Sequence, residues 1–162
     1  MAKLWKLQVV YVIENNQYGM GTSVARASAT TNLSQRGRSF DIPGDQVDGM
    51  DVRAVKAAGE KAVQWCREGN GPLILEMLTY RYRGHSMSDP AKYRSKEEVD
   101  RVRTMQDPIE QVRARLLANK WASEDALKKI DTEVRAVVNE AAEFATHDAE
   151  PDPSELYSDV YR

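Results

Sequence analysis

Two short apolar stretches on either side of a helical pattern constrain the fold of this chain most strongly. Residues 8–13 are β-branched and aromatic and form a run too short for a helix. Residues 72–79 are apolar apart from one glutamate in the middle of the run. Strand, helix and strand in this order are typical of a parallel βαβ unit. We therefore predict an α/β fold with a parallel sheet and flanking helices, in which residues 8–13 are buried on both faces.

The segment between the two strands predicts one helix and one long loop. Residues 15–49 are rich in Gly, Ser, Thr and Asn and lack a sustained period, which predicts an irregular loop region. Asp51 can cap a helix that ends at Gly69, a typical C-terminal signal. We expect one face of this helix to be apolar, through Val52, Val55, Val63 and Cys66.

The remainder of the chain predicts helices. Ser95 and Glu98 form a capping box, and Asp107 precedes a proline at the first position of the next helix. A third helix begins near Ser123 and carries apolar residues at spacings near 3.6. The tail, 148–162, has two prolines and many acids, and we expect it to be extended.

Composition excludes several classes of function. The formal net charge of -2 lacks the basic excess that nucleic acid or an acidic membrane surface attracts. The longest apolar run is far too short to cross a bilayer. Cys66 is the only cysteine, so an internal disulfide is impossible and a reducing compartment suits the chain. The first residues lack the apolar region of a secretion signal, and we expect a cytoplasmic location.

The residues that follow the first strand are candidates for metal and cofactor binding. Ligands of a parallel α/β sheet bind outside the carboxyl ends of its strands. The side-chain oxygen of Asn16 and the backbone carbonyl of Tyr18 are neutral oxygen ligands that could bind Mg²⁺ or Ca²⁺ if phosphates or carboxylates supply the charge. On the residues alone, the more favoured interpretation is that adjacent asparagines merely turn the chain.

The loop after the second strand contains His85, one of two histidines in the chain. An imidazole in this position could donate a hydrogen bond to a phosphate or act as an acid or base. An ordinary surface histidine is an equally good interpretation. Ser86 follows His85, but the sequence lacks a nucleophile-elbow pattern, which argues against a hydrolase triad. The arginines of this loop could bind phosphate or form rim ion pairs.

Taken together, these motifs resemble a known family. The segments are Tyr-Val-Ile-Glu-Asn-Asn-Gln-Tyr-Gly-Met-Gly-Thr-Ser at 11–23, Ile-Pro-Gly at 42–44, Val-Asp-Gly-Met-Asp at 47–51 and Tyr-Arg-Tyr-Arg-Gly-His-Ser-Met-Ser-Asp-Pro at 80–90. In order and spacing they resemble the E1α subunits of thiamine-diphosphate-dependent 2-oxo acid dehydrogenases. The sequence of the last segment resembles that of pyruvate dehydrogenases most. The resemblance covers nearly the whole chain and outweighs the local interpretations above.

The resemblance implies roles for four residues. Asn16 and the Tyr18 carbonyl would be metal ligands that also border the cofactor diphosphate. His85 matches a loop histidine beside the cofactor and is the catalytic candidate. Ser86 matches the serine that kinases modify in mitochondrial relatives, and a phosphate there would place about two negative charges beside His85.

The resemblance also implies a domain division and a missing half. The family signature begins with Gly-Asp-Gly, whose aspartate binds Mg²⁺, and this sequence contains only its closing asparagines. We expect 1–94 to be the C-terminal half of a thiamine-diphosphate-binding α/β domain, 95–147 its helical C-terminal segment and 148–162 a tail. The N-terminal half would have to supply the remaining metal and cofactor contacts.

The implied activity is oxidative decarboxylation of pyruvate with thiamine diphosphate and Mg²⁺, followed by transfer of the acetyl unit to lipoyl-E2. The family works as an α₂β₂ heterotetramer with an E1 β subunit, so the implied partners are that subunit, E2 and pyruvate, without nucleic acid or membrane. Two alternatives remain at this point. One is the α subunit of branched-chain 2-oxo acid or acetoin dehydrogenase, and the other is an inactive fragment that serves only as a subunit-interaction module.

Overall fold

The computed structural model of the chain describes residues 1–160 and contains a parallel three-stranded sheet with helices. The strands are β1 Val10–Asn15, β2 Tyr18–Gly19, β3 Thr22–Ser23, β4 Gly44–Asp48 and β5 Leu73–Leu78. The α-helices are α1 Val24–Ala27, α2 Val52–Arg67, α3 Lys96–Gln106, α4 Pro108–Ala118 and α5 Glu124–His147. Short 3₁₀ segments cover Leu33–Phe40 and Pro153–Tyr157. The predicted α/β class is confirmed.

The main sheet has the order β1-β5-β4, and both pairings are parallel. Asn15 and Asp48 are both aligned with Leu78, so the three strands end at one edge of the sheet. Backbone bonds extend this alignment, since Thr79 N–H donates to the Asn15 carbonyl at 2.9 Å and Gly49 N–H donates to the Leu78 carbonyl at 2.9 Å. The segments that follow the strands therefore leave the sheet side by side.

Strand β4 corrects the prediction that 15–49 is wholly irregular. Its sequence, Gly-Asp-Gln-Val-Asp, has a single apolar residue, Val47, which is buried. Neither β-propensity nor alternation would identify such a strand. It forms because β5 offers a free row of backbone donors and acceptors with which these residues pair.

The hydrophobic core lies between α2 and the sheet. Val47, Ala62 and Leu75 are its buried centre, and Val55 and Ala58 pack against them. Asp51 caps α2 as predicted, with its side chain accepting a hydrogen bond from Arg53 N–H. The predicted apolar face was wrong in part, because Val52 and Val63 are exposed. The close helix–sheet approach instead uses alanines, whose small side chains fit against the strand surface.

Strand β1 also differs from its prediction. Tyr11 is 43% exposed and Val12 is 55% exposed, so this edge strand is not buried on both faces in residues 1–160. Residues 2–6 form turns, and Leu7 N–H donates to the Ala2 carbonyl. The tail is not wholly extended either, because it contains the 3₁₀ segment Pro153–Tyr157, and residues 161–162 lie outside the described part.

The chain divides into two compact units, Met1–Val112 and Arg113–Arg162. In the first, the predicted caps are confirmed: the Ser95 hydroxyl accepts from Glu98 N–H, and Asp107 accepts from Ile109 N–H. In the second, Ser123 caps α5 by accepting from Ala126 N–H. Helix α5 has no buried residue, and an apolar stripe is exposed along it: Ile130, Val134, Val137, Val138 and Phe144.

Candidate functional site

The turn after β1, residues 15–18, is called the β1 turn below. It is formed by two asparagines whose side-chain oxygens accept hydrogen bonds from backbone N–H groups two residues ahead. The Asn15 side-chain oxygen accepts from Gln17 N–H at 3.0 Å, and the Asn16 oxygen accepts from Tyr18 N–H at 3.2 Å. Gln17 has a positive φ of 72°, which a non-glycine residue adopts only when its surroundings hold it there. The Asn16 oxygen and the Tyr18 backbone thus belong to one tightly defined turn.

Asn15 ties this turn to the interior of the sheet. It is 5% exposed, and its side-chain nitrogen donates to Glu76 Oε1 at 2.6 Å. The sequence showed a glutamate inside an apolar strand but did not reveal its role. The signal was present, because a carboxylate at such a position must find donors or destabilise the strand. Its donors could not be inferred from sequence.

The loop after β5, residues 80–94, is called the β5 loop below, and its conformation is held by hydrogen bonds to Asp89. Its Oδ2 accepts from His85 N–H at 2.7 Å and from the Tyr93 hydroxyl at 2.7 Å, while Oδ1 accepts from Ala91 N–H at 2.8 Å. These bonds favour the charged form of the carboxyl, and the His85 and Ala91 backbone bonds are the largest causes. They lower the pKa of Asp89 to about 2. The backbone around His85 is therefore held by an ionised aspartate.

Arg94 also stabilises the β5 loop, and its side chain is buried, with only 8% exposed. Its guanidinium donates to the carbonyls of Arg81, Tyr82 and Arg83, the last at 3.0 Å. The guanidinium carbon also lies between 5.3 and 5.5 Å from the centroids of three tyrosine rings, those of Tyr18, Tyr80 and Tyr93. Such cation–π contacts strengthen where water is excluded. A single buried cation therefore contacts both the β1 turn and the β5 loop.

Glu98 adds a second connection between the two segments. Its Oε1 accepts from the Tyr18 hydroxyl at 3.2 Å and from the Tyr80 hydroxyl at 2.8 Å. Burial raises the pKa of both phenols, and the Glu98 carboxylate raises them further. Both tyrosines therefore remain protonated donors at neutral pH. Only one half of the predicted capping box is therefore confirmed. The Ser95 hydroxyl caps the helix, whereas the Glu98 carboxylate bonds the two tyrosines.

The β1 turn and the β5 loop contact each other in the structure. Arg81 donates to the Met20 carbonyl at 2.7 Å, and the rings of Tyr18 and Tyr93 lie 5.5 Å apart. His85 is exposed on the β5 loop, where its backbone N–H, and no ring nitrogen, forms a hydrogen bond within residues 1–160. The metal and catalytic roles of Asn16, Tyr18 and His85 stay predictions.

Two further observations concern metal-binding clusters and membrane-spanning helices in residues 1–160. In that range, no three His, Cys, Asp or Glu side chains are grouped closely enough to bind a metal ion on their own. Among the same residues, no helix combines the length and apolar character needed to span a membrane.

Comparison with known proteins decides the family. The family model described as dehydrogenase E1 component matches residues 1–154. The chain belongs to the dehydrogenase E1 component family. The resemblance identified from the sequence motifs is thereby confirmed.

Individual members of this family are similar over the whole chain. A pyruvate dehydrogenase E1 component subunit alpha from Rhizobium meliloti is 69% identical over 160 residues, covering 99% of this chain and 46% of that protein. Its counterpart from Rickettsia felis is 52% identical over 161 residues and is covered to 49%. A mitochondrial one from Sminthopsis macroura is 51% identical and is covered to 44%. The chain thus spans about half the length of these relatives.

Proposed function

We propose that this chain forms the cofactor-facing C-terminal part of the α subunit of a pyruvate dehydrogenase E1 component. The observation that carries the proposal is the meeting of the β1 turn and the β5 loop at one edge of the parallel sheet, joined through Arg94 and Glu98. That edge is where parallel α/β sheets bind ligands. Relatives with 69% and 52% identity carry the name pyruvate dehydrogenase E1 component subunit alpha, which supports pyruvate as the substrate.

The residues of the β1 turn suit Mg²⁺ bound to a diphosphate. Asn16 offers a side-chain oxygen and Tyr18 a backbone carbonyl, both neutral ligands of the hard type that Mg²⁺ prefers. Because residues 1–160 lack an acidic metal cluster at this position, the charge must come from the diphosphate and from ligands elsewhere. The Asn15 and Asn16 turns leave little freedom to the backbone, which favours binding by reducing the entropy lost.

We assign three tasks to the residues of this chain. Asn16 and the Tyr18 carbonyl would hold the metal, and His85 would present an imidazole that donates to a phosphate oxygen or exchanges a proton at Nε2. Thiamine diphosphate, when bound, supplies the electron sink for decarboxylation of a 2-oxo acid. Asp89 and Arg94 would keep the His85 backbone in place during that reaction.

The partners in this proposal follow the family. An E1 β subunit would complete the active site in an α₂β₂ assembly, and lipoyl-E2 would accept the acetyl unit. We place the protein in the cytoplasm, since the chain has one cysteine and its relatives include bacterial proteins.

Binding of Mn²⁺, a paramagnetic substitute for Mg²⁺, tests the metal assignment. With thiamine diphosphate present, Mn²⁺ should broaden the ¹⁵N-labelled amide signals of Asn16, Gln17 and Tyr18 before those elsewhere. Asn16→Ala should abolish the effect, because it removes a ligand oxygen, whereas Asn119→Ala at the exposed end of α4 should leave it intact. Equal broadening throughout the chain, or broadening that survives Asn16→Ala, would contradict the assignment.

Activity of the full-length protein with its β subunit tests the substrate. Pyruvate should be decarboxylated in preference to branched-chain 2-oxo acids, and His85→Asn should lower kcat by about 100-fold, the scale of a lost acid–base group. A preference for branched-chain substrates would support the alternative member of the family. An inactive assembly that still binds the β subunit would support the interaction-only alternative.

A further inference from the structure

The side chain of Glu76 is a carboxylate enclosed in the centre of strand β5. Its exposure is 0%, and it is one of the largest fully buried side chains in residues 1–160. Oε2 accepts from Ser34 N–H at 2.9 Å and from the Gln46 amide at 3.1 Å. Oε1 accepts from the Asn15 side-chain nitrogen at 2.6 Å. Burial of a carboxylate is costly, so its presence at this position requires a reason beyond packing.

The bond to Asn15 determines which way the Asn15 amide points. A carboxylate can only accept hydrogen bonds, so it requires the NH₂ end of the amide to face it. The carbonyl end then faces the opposite direction, where it accepts from Gln17 N–H at 3.0 Å. If the amide were reversed, its NH₂ group would face the Gln17 N–H, which is also a donor. Its oxygen would face the Glu76 carboxylate, which is also an acceptor. The buried charge thus fixes the polarity of a hydrogen-bond chain that runs from β5 into the β1 turn.

This hydrogen-bond chain ends at the residues that carry the proposed metal ligands. Gln17 is held at a φ of 72°, and it lies directly between Asn16 and Tyr18. Its conformation sets the angle between the Asn16 side chain and the Tyr18 carbonyl. A loss of the bond from Gln17 N–H to Asn15 would let this residue relax to an ordinary φ and separate the two ligands.

We propose that Glu76 is a positioning residue, which acts through the Asn15 amide to hold the Asn16–Tyr18 turn in its metal-binding conformation. The importance of the turn rests on the proposed function, but the hydrogen-bond chain itself can be tested without any ligand.

Glu76→Gln is the sharpest single variant, because it preserves shape and removes only one acceptor. If the new amide oxygen takes the two donors Ser34 N–H and Gln46, its NH₂ group must face the NH₂ of Asn15. Asn15 then either loses this bond or turns over and presents a donor to Gln17 N–H. The first outcome frees the Asn15 amide to rotate and the second removes the acceptor from Gln17 N–H, so both weaken the bond to Gln17, and we expect amide hydrogen exchange at Gln17 to accelerate about tenfold or more.

A second substitution should restore the hydrogen-bond chain by exchanging the roles of the pair. In the double variant Glu76→Gln with Asn15→Asp, the NH₂ group of the introduced glutamine can donate to one oxygen of the introduced aspartate, while the other oxygen accepts from Gln17 N–H. The total charge of the pair is unchanged. Gln46→Met is the matched control, because it removes a donor from the far oxygen of Glu76 and leaves the bond to Asn15 intact.

Hydrogen exchange followed by NMR on the ¹⁵N-labelled chain decides among the outcomes. The proposal expects fast exchange at Gln17 in Glu76→Gln, protection within about threefold of wild type in the double variant and unchanged protection in Gln46→Met. It is overturned if Glu76→Gln leaves Gln17 protected, or if the double variant is no better than the single one. If Glu76→Gln alone does not fold, a folded and protected double variant still supports the proposal, and an unfolded one overturns it.

Mn²⁺ titration of the same samples separates this inference from the proposed function. Broadening at Asn16 and Tyr18 should require about tenfold more Mn²⁺ in Glu76→Gln and recover in the double variant, the scale of one lost hydrogen bond. If wild type shows no localised broadening, the proposed metal site fails while the exchange data still judge the hydrogen-bond chain. If broadening is equally strong in all variants, Glu76 does not position the ligands and the inference fails while the metal site stands.

Discussion

The two segments that form the candidate site are held by different means. The β1 turn is anchored in the interior, since Asn15 is buried and bonds the fully buried Glu76. The β5 loop is organised near the surface by Asp89, and the buried Arg94 connects it to the tyrosine rings. A turn held from the core shares the stability of the whole sheet, whereas a loop held by exposed groups can open locally. We therefore expect the segment with the proposed metal ligands to open less readily than the segment that carries His85.

The largest effect should come from removing the anchor of the β1 turn. Glu76→Ala leaves three buried or partly buried donors without an acceptor and creates a cavity, so we expect the free energy of unfolding to fall by about 4 kcal/mol. Urea denaturation measures the loss. Glu60→Ala on the exposed face of α2 is the control and should cost about 0.5 kcal/mol or less. A loss as small as that of the control would contradict the conclusion that the β1 turn is anchored in the interior more firmly than the β5 loop.

Arg94→Lys should have the next largest effect. Lysine lacks the planar fork that reaches three carbonyls and stacks among tyrosine rings, so we expect a loss of about 1 to 2 kcal/mol in unfolding free energy. Hydrogen exchange should accelerate in residues 80–94 more than in 15–18. Arg83→Lys is the control, because Arg83 is exposed and its side chain lies outside these contacts. Equal acceleration of both segments would show that Arg94 supports the sheet as a whole.

Acid should loosen the β5 loop only at low pH, when Asp89 becomes protonated. The folded-state pKa of Asp89 is about 2, below its ordinary 3.8, because the backbone N–H groups of His85 and Ala91 bond its charged form. A depressed pKa means that the contribution is complete above about pH 4 and is lost as the pH falls through 2. NMR titration of the Asp89 carboxyl and the His85 amide should show this step. Asp89→Asn should abolish it, and an unshifted midpoint near 3.8 would contradict the proposed bonding.

The smallest effect on stability should come from His85 itself. Its side chain is exposed, so His85→Asn should change the unfolding free energy by about 0.5 kcal/mol or less. Thermal unfolding followed by circular dichroism measures this change. A loss above about 1 kcal/mol would show that His85 has a structural task, and the contrast between an anchored turn and a functional, mobile loop would then need revision.

Much of the fold could be predicted because its signals are local. Asp51, Ser95, Asp107 and Ser123 each cap a helix by bonding an N–H two or three residues ahead, so the sequence window contains both partners. The strands β1 and β5 are recognisable as apolar runs. The motif segments also sufficed to identify the family, since their order and spacing extend over most of the chain.

The failures of prediction at β4, at α2 and at the site involve partners far apart in sequence. Gly44–Asp48 becomes a strand only because β5 lies beside it. Val52 and Val63 are exposed because the helix turns its alanines to the sheet. For the site, sequence selected Asn16, Tyr18 and His85 as candidates but gave no role to Glu76, whose bond to Asn15 spans 61 positions.

The sequence by itself therefore determined where helices α2 to α5 begin, two of the strands, the family and the candidate residues. Only the tertiary structure decided that β4 completes the sheet, that Arg94 joins the tyrosines of two segments and that a buried carboxylate orients the Asn15 amide. The physical reason is the range of the interactions. Caps and periodicity act within a few residues, whereas the geometry of a binding turn depends on hydrogen bonds whose partners meet only after the strands have paired.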